Sequence, residues 1–148
     1  MVEQGTDEWK ALRLGKATAS RMADICARTK TGWGASRANY AAQLVAERLT
    51  GKVADSYSNA AMEWGNATEA EARAVYAFFR DVTVDAVDFV PHPTIAMSGA
   101  SPDGCIGTDG LVEIKCPNTA THIDTLLGKS VPEKYILQMQ WQMACTAR

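Results

Sequence analysis

The side chains best suited to chemistry lie in two short segments, residues 101–104 (Ser-Pro-Asp-Gly) and residues 113–117 (Glu-Ile-Lys-Cys-Pro). Glu113 and Lys115 are two residues apart, so on a strand they project from the same face. Asp103 precedes them on a turn and can be brought up from the neighbouring strand end. Two carboxylates and one ammonium group suit a divalent cation and a negatively charged substrate, which is the combination that phosphodiester hydrolysis needs.

Five motifs place these residues in a wider pattern. Asp103, nine further residues and then Glu-x-Lys match the PD-(D/E)xK nuclease signature. The motifs, in chain order, are residues 13–20 (RLGKATAS), Trp64-Gly65 followed by Glu69, residues 99–104 (GASPDG), residues 113–117 and residues 138–141 (QMQW). A lone Glu-x-Lys occurs on many surface strands, whereas five motifs in one order are specific. From about residue 5 to its last residue, the chain resembles the YqaJ-like family of phage recombinases, to which lambda exonuclease belongs.

The elements predicted from the sequence must bring these segments together. Helices are expected over residues 8–14, 36–50, 60–80 and 119–127, with two more starting at Thr18 or Ser20 and at Pro132. Strands are expected over residues 82–90, 94–99 and 111–116, with a hairpin turn at residues 107–110. Helices, then three strands, then helices predict an α/β (α+β) fold. The resemblance implies a restriction-endonuclease-like core, a central mixed β-sheet flanked by helices.

Apolar residues at helical spacing predict which helix faces are buried. In the helix over residues 36–50, Ala41, Val45 and Leu49 recur every four residues and are expected in the core. In the helix over residues 60–80, the expected core stripe consists of Ala70, Ala74, Val75, Phe78 and Phe79.

Charges are unevenly distributed along the chain, although a net charge of −2 does not mark a nucleic-acid binder. Residues 10–37 carry seven basic side chains and one acidic side chain, Asp24. This segment could track DNA phosphates or could be an ordinary solvated face, and charge alone leaves both readings open. Trp33 lies there in a glycine-rich loop, residues 29–35, and is interpreted as a DNA contact rather than as a merely exposed ring.

A chain of 148 residues, 47% of them hydrophobic, fits a single domain over residues 1–148. No run of about 18 apolar residues is present, so no membrane span is expected. The resemblance implies the cytoplasm of a bacterial host as the location, with a phage or prophage as the source. The four cysteines lack C-x-x-C spacing, which favours reduced thiols over a disulfide or zinc site. Members of the resembled family continue into at least one more strand and helix, so this domain is expected to lack a C-terminal strand and helix.

The resemblance implies a role for each residue of the nuclease signature. Asp103 and Glu113 would ligate Mg²⁺, which Mn²⁺ could replace, since carboxylate oxygens suit these hard cations. The main-chain carbonyl of Ile114 would add a ligand, and Glu69 would join directly or through water. Without the resemblance, Glu69 reads as a first-turn glutamate favoured by the helix dipole. Lys115 would orient or deprotonate the attacking water, whereas a bare Glu-x-Lys is more often a surface ion pair.

The resemblance also assigns residues outside that signature. Gln138 matches a family glutamine near the attacking water or the site lysine, and it shares a helical face with Gln142. Arg13, Ser20 and Ser101 resemble a pocket for a 5′-terminal phosphate, which arginine suits because its planar fork makes bidentate hydrogen bonds. Without the resemblance, Arg13 reads as a surface charge and Ser20 as a helix cap.

The resemblance therefore implies a Mg²⁺-dependent 5′→3′ exonuclease that acts on double-stranded DNA ends carrying a 5′-phosphate. It also implies a ring-shaped homotrimer threaded by DNA and a single-strand annealing protein that takes over the exposed 3′ strand. The residue spacing by itself supports only a metal-dependent phosphodiesterase. Two alternatives stay open: another PD-(D/E)xK nuclease, structure-specific or restriction-like, and a non-catalytic module that binds DNA ends or protein as a result of truncation.

Overall fold

The computed structural model describes residue 2, residues 4–53 and residues 60–148. Its helices are α1 (Asp7–Arg13), α2 (Met22–Ile25, preceded by a 3₁₀ turn at Ala19–Arg21), α3 (Ala35–Thr50), α4 (Ala60–Arg80), α5 (Thr119–Gly128) and α6 (Glu133–Thr146). Its strands are β1 (Ala17–Thr18), β2 (Arg28–Thr29), β3 (Gly32–Trp33), β4 (Val90–Pro91), β5 (Ser98–Ala100), β6 (Gly104–Ile106) and β7 (Gly110–Val112). Among these described helices, none has the length and hydropathy that crossing a bilayer requires.

A small mixed sheet carries the core. β5 is its middle strand and pairs in parallel with β1 and antiparallel with β4. α6 packs against β5 and against the 3₁₀ turn, where Ala19, Ala100 and Cys145 form a buried cluster. A mixed sheet with helices packed beside it confirms the predicted α/β (α+β) class.

Two antiparallel hairpins lie outside this sheet. β6 and β7 form the hairpin that the turn residues 107–110 predicted, with Gly107 at a φ of 55° in the turn. β2 and β3 form a second hairpin where a loop was expected, and this hairpin carries Trp33. The guanidinium carbons of Arg28 and Arg37 lie 3.2 and 3.9 Å from the centroid of the Trp33 ring. The Trp33 ring therefore makes cation–π contacts with two arginines of the same chain. Its contact with DNA stays a prediction.

The buried face of α3 is not the one that the apolar spacing predicted. The expected core trio is exposed, Val45 to 54% and Leu49 to 82%, whereas Tyr40 and Glu47 are buried. The Tyr40 hydroxyl accepts the N–H of Thr18 at 3.2 Å. Hydrogen bonds from Tyr40 and Glu47 to the region of β1 therefore decide which face of α3 is buried. The spacing of apolar residues cannot reveal such polar contacts.

The predicted core stripe of α4 is also exposed. Phe78 is 81% exposed and Phe79 is 78% exposed, and their rings meet edge to face with centroids 5.7 Å apart. Helical spacing predicts which residues share a face, but only a packed neighbour decides whether that face is buried. In the part of the chain that the structure describes, this face is open.

The strands are shorter than predicted. The expected strand over residues 82–90 contributes only Val90 to β4 and one isolated bridge. β7 ends at Val112, earlier than the predicted end at residue 116. The N–H of Ile114 donates to the Asp103 carboxylate at 2.7 Å. The Asp103 side chain thus accepts the backbone N–H of Ile114, which a longer β-ladder would have used.

Glu47 ties α3 to the turn that follows α1. Its Oε2 accepts the N–H of Gly15 at 2.8 Å, and its Oε1 accepts the Gln43 amide at 2.8 Å. Gly15 has a φ of 66°, and a Cβ there would lie 2.6 Å from the Arg48 side chain. The turn therefore needs glycine, and it positions the end of α1, which carries Arg13.

We expect Glu47→Ala to lower the free energy of unfolding by about 2 kcal/mol, because the buried N–H of Gly15 loses its acceptor. Urea unfolding measures this loss. The control is Glu71→Ala, which removes an exposed glutamate from α4 and is expected to change stability little. Equal losses in the two variants would contradict the anchoring role of Glu47.

Candidate active site

The β6–β7 hairpin places the two carboxylates of the nuclease signature beside each other. Gly104 pairs with Val112 in its ladder, so Asp103 and Glu113, the residues just outside that pair, lie at the same end of the hairpin. The N–H of Asp103 donates to the Val112 oxygen at 3.2 Å, and Asp103 Oδ2 accepts the N–H of Ile114 at 2.7 Å. The Asp103 carboxylate is therefore held by the segment that carries Glu113.

The Asp103 side chain is buried, and its surroundings disfavour a negative charge. Burial and the charge of Glu113 raise the pKa of Asp103 from 3.8 to about 7, with a smaller contribution from Glu69. The N–H of Ile114 and the ammonium group of Lys115 act in the opposite direction without offsetting the rise. A bound cation would relieve this crowding of negative charge, as expected of a functional site.

The Glu113 side chain is only 6% exposed and is bonded through both of its oxygens. Its Oε1 accepts from Lys115 Nζ, in an ion pair, and from Gln138 Nε2 at 2.6 Å. Its Oε2 accepts from Gln142 Nε2. The structure thus brings Lys115 and Gln138 to one carboxylate oxygen, which places Gln138 beside the lysine near which it was expected.

Gln142 is also a residue of this site, although the sequence interpretation placed it on one helical face with Gln138 and assigned it no role. It lies one turn after Gln138 on α6, and this spacing was the available signal, since residues four apart share a helical face. What the sequence could not reveal is that α6 passes Glu113, which lies outside that helix.

Glu69 lies at the edge of the site. Its Oε1 accepts from Arg73 at 2.7 Å, one turn further along α4. Over the described residues, no three Asp, Glu, His or Cys side chains come close enough to hold a metal ion together. Burial raises the pKa of the Cys116 thiol, and the charge of Glu69 adds to that rise as it does for Asp103. Glu69 therefore contributes charge to the site without supplying a third adjacent carboxylate.

Arg13 is the centre of a second polar cluster. Its guanidinium donates to Ser101 Oγ at 3.2 Å, to Ser20 Oγ at 3.2 Å and to Thr18 Oγ1 at 3.4 Å. The guanidinium carbon lies 4.0 Å from the centroid of the Trp9 ring. Burial lowers the pKa of Arg13, but the side chain stays positively charged at neutral pH because the ordinary pKa of arginine is so high. The structure thus brings together Arg13, Ser20 and Ser101 and adds Thr18, which was not proposed.

A cavity of about 220 Å³ opens beside this cluster. Its lining includes the cationic side chains of Arg13, Lys16 and Arg21 and the hydroxyl groups of Thr18 and Ser20. Cations and hydroxyl donors facing one cavity suit a phosphate group.

Comparison with known proteins shows the family and the fold of this chain. The YqaJ-like viral recombinase domain family matches residues 8–148. The crystal structure of an alkaline exonuclease, LHK-Exo, from Laribacter hongkongensis aligns with a TM-score of 0.87 and 52% identity, over 97% of this chain and 70% of that chain. LHK-Exo in complex with dAMP aligns with a TM-score of 0.88 and 53% identity over the same shares. A search of curated proteins gave no match.

These matches confirm the fold class and the resemblance that was drawn from five short motifs. The family match extends from α1 to the last residue and therefore includes both polar clusters. This chain belongs to the family of YqaJ-like viral recombinase domains.

Proposed function

We propose that this chain is a Mg²⁺-dependent exonuclease that degrades double-stranded DNA from its ends in the 5′→3′ direction. That it is a nuclease follows from its family and from its identity of 52–53% to an alkaline exonuclease. The metal and the preference for a terminal phosphate are argued from the two polar clusters, whereas the 5′→3′ direction rests on the family resemblance.

One observation carries the proposal: a single short segment joins the two clusters. Ser101 accepts from Arg13, and Asp103, two residues later, faces the segment of Glu113. Two residues of extended chain span at most about 7 Å. A terminal phosphate bound at Arg13 would therefore leave the next phosphodiester bond of the same strand near the carboxylates. That arrangement favours release of one nucleotide at a time from a phosphorylated end, and the 5′→3′ direction is taken from the family resemblance.

Asp103 and Glu113 would hold the metal, with the main-chain carbonyl of Ile114 as a further ligand. Carboxylate and carbonyl oxygens are the donors that Mg²⁺ and Mn²⁺ prefer. Burial and, after it, the charge of Glu113 raise the pKa of Asp103 in spite of Lys115, and a bound cation would favour the ionised carboxylate. Glu69 would act through an intervening water, since its own carboxylate pairs with Arg73. When bound, the metal would activate water and neutralise charge on the scissile phosphate.

Lys115 would orient the attacking water and stabilise negative charge on the phosphate. Its side chain is 36% exposed while that of Glu113 is 6% exposed, so the ammonium group stands between the buried carboxylate and the solvent from which substrate arrives. Gln138 donates to the same oxygen of Glu113 and would hold that carboxylate in place while Lys115 moves to the substrate.

The assembly and partners remain predictions. A homotrimer around the DNA, a single-strand annealing protein and a cytoplasmic bacterial location follow from the family resemblance alone. The organisation as a single domain also stays a prediction. Light scattering on the purified chain tests the trimer, and a monomer at working concentration would contradict it.

The decisive test follows labels released from linear duplex DNA with 5′-phosphate ends. We expect early release of the 5′-terminal label as a mononucleotide, dependence on Mg²⁺, and loss of release in EDTA or with Asp103→Ala. Early release of the 3′-terminal label would contradict the polarity. Cleavage of closed circular DNA would favour an endonuclease instead. Metal binding without any turnover would favour a non-catalytic module that binds DNA ends.

Arg13→Lys is expected to reduce the preference for 5′-phosphate over 5′-hydroxyl ends by about tenfold, because lysine keeps the charge but loses the planar fork of donors. The measurement is kcat/KM on both substrates. Arg21→Lys is the matched control, since Arg21 lines the same cavity but is paired with Asp24 at 2.6 Å. An equal change in both variants would contradict the specific role of Arg13.

A further inference from the structure

Gln142 is almost completely buried, with 1% of its surface exposed, on the side of α6 that faces the core. A buried amide is costly unless it is hydrogen-bonded, so its partner carries information. Its Nε2 donates to Glu113 Oε2, an oxygen that neither Lys115 nor Gln138 contacts in the described bonds. The partner is thus one of the two carboxylates that the proposed function assigns to the metal.

A count of acceptor positions shows what this bond does. A carboxylate offers about four, two on each oxygen. On Glu113, Lys115 and Gln138 both use Oε1, and Gln142 uses one position on Oε2. Counting the hydrogen bonds of the described residues, one acceptor position remains, and it is on Oε2.

Gln138 and Gln142 hold opposite oxygens of the carboxylate. Partial rotation of the Glu113 carboxylate about its terminal bond would lengthen or break at least one of these bonds. Gln138 is half-buried and Gln142 is fully buried, so the bond to Gln142 is the better shielded of the two.

The helix that carries these amides is itself fixed to the sheet. Trp141 Nε1 donates to the Gly99 oxygen at 3.3 Å, and Cys145 packs in the buried cluster with Ala100. Gly99 and Ala100 belong to β5, the strand that leads directly to Asp103. α6 and β5 are therefore packed together. β5 positions Asp103 through the chain, and α6 positions Glu113 through the amide of Gln142.

We propose that Gln142 is a positioning residue, which fixes the Glu113 carboxylate so that its remaining Oε2 position is presented to the metal. The inference rests on the proposed metal site and names a residue on which that site depends. Such partners of metal ligands commonly govern affinity, and their loss costs about 10- to 100-fold in metal binding or activity.

The test measures metal binding directly. Mn²⁺ binding to the full chain is followed by electron paramagnetic resonance for the wild type, Gln142→Met and Gln140→Met. Gln140 is the matched control because it is an exposed glutamine on the same helix. We expect Gln142→Met to raise the Kd for Mn²⁺ by about 10- to 100-fold and Gln140→Met to leave it within twofold. At saturating Mn²⁺, DNA cleavage by Gln142→Met should recover most of the wild-type kcat, which a general folding defect would not allow.

The outcomes separate this inference from the proposed function. An unchanged Kd in Gln142→Met, or an equal rise in Gln140→Met, would overturn the positioning role alone. No Mn²⁺ binding by the wild type would overturn the proposed metal site and the positioning role with it. If Gln142→Met does not fold, Gln142→Asn replaces it, because that variant keeps a buried amide but is one methylene too short to reach Glu113. Wild-type affinity in a folded Gln142→Asn would equally overturn the role.

Discussion

Asp103→Asn is expected to lower kcat/KM by about 10³-fold and, at the same time, to stabilise the metal-free protein at pH 8. The activity falls because an amide has nearly the shape of the carboxylate but is neutral and a poor ligand for Mg²⁺. The stability rises because the amide can still accept the N–H of Ile114 while the buried charge is gone. A residue that costs stability and serves function would show these opposite effects.

The direction of the pH dependence follows from the raised pKa of Asp103, about 7 in the folded chain and 3.8 as the reference value. The folded state therefore holds the proton more tightly than the unfolded state. The stability that this group contributes is fully present below pH 4 and is lost as the pH rises through 7. At pH 8 in EDTA, the ionised side chain costs about 2–4 kcal/mol, a cost that asparagine does not carry.

Urea unfolding of both proteins in EDTA at pH 5 and pH 8 measures this effect. The stability advantage of Asp103→Asn should widen between the two pH values, and added Mg²⁺ should stabilise only the wild type. Asp85→Asn is the control, since Asp85 is exposed and should show no such widening. A variant that is less stable than the wild type at pH 8 would show that the Asp103 charge is not a burden on the fold.

Lys115→Met is expected to lower kcat by about 10²- to 10³-fold with a smaller change in KM, because the ammonium group acts on the attacking water and on charge that develops during hydrolysis. Methionine keeps most of the length of the apolar stem, so packing changes little. Single-turnover cleavage of 5′-phosphorylated duplex at saturating Mg²⁺ gives the rate of the chemical step.

Lys134→Met provides an unusually close control. Both lysines lie over the same ring, with Lys115 Nζ 5.2 Å and Lys134 Nζ 4.7 Å from the centroid of Tyr135. Either substitution removes a cation–π contact, but only Lys115 is paired with Glu113. A similar loss of rate in both variants would mean that Lys115 acts through the aromatic contact rather than at the scissile phosphate.

Local signals in the sequence predicted the hairpin site well. Asp103 and Glu113 are close in the chain, and the turn at residues 107–110 is strong enough to fold that segment back on itself. The prediction that the side chains of Glu113 and Lys115 lie together was correct, since they form an ion pair. The assumption that both residues belong to a strand was wrong, because β7 ends at Val112. Their meeting depends on an ion pair over two residues, which does not require a strand.

Burial was predicted poorly wherever it depends on a distant element. The apolar residues predicted to share one face of α3 and one face of α4 do share those faces. The prediction that these faces are buried was wrong, since Leu49 and Phe78 are largely exposed. Arg13 and Ser101 are 88 residues apart, and their contact depends on parallel pairing of β1 with β5. The resemblance to a family supplied that grouping, whereas residue spacing could not.

The sequence by itself determined two features of this protein: a hairpin that carries two carboxylates and a lysine, and a family that short motifs in a specific order identify. These features are local, so neighbouring residues and turn geometry are sufficient to specify them. Tertiary structure alone decided that burial and Glu113 raise the pKa of Asp103 to about 7, that Arg13 contacts Ser101, and that Gln142 donates to Glu113. Each of these depends on burial or on contact between segments far apart in the chain, and such contacts exist only once β5 and α6 have packed together.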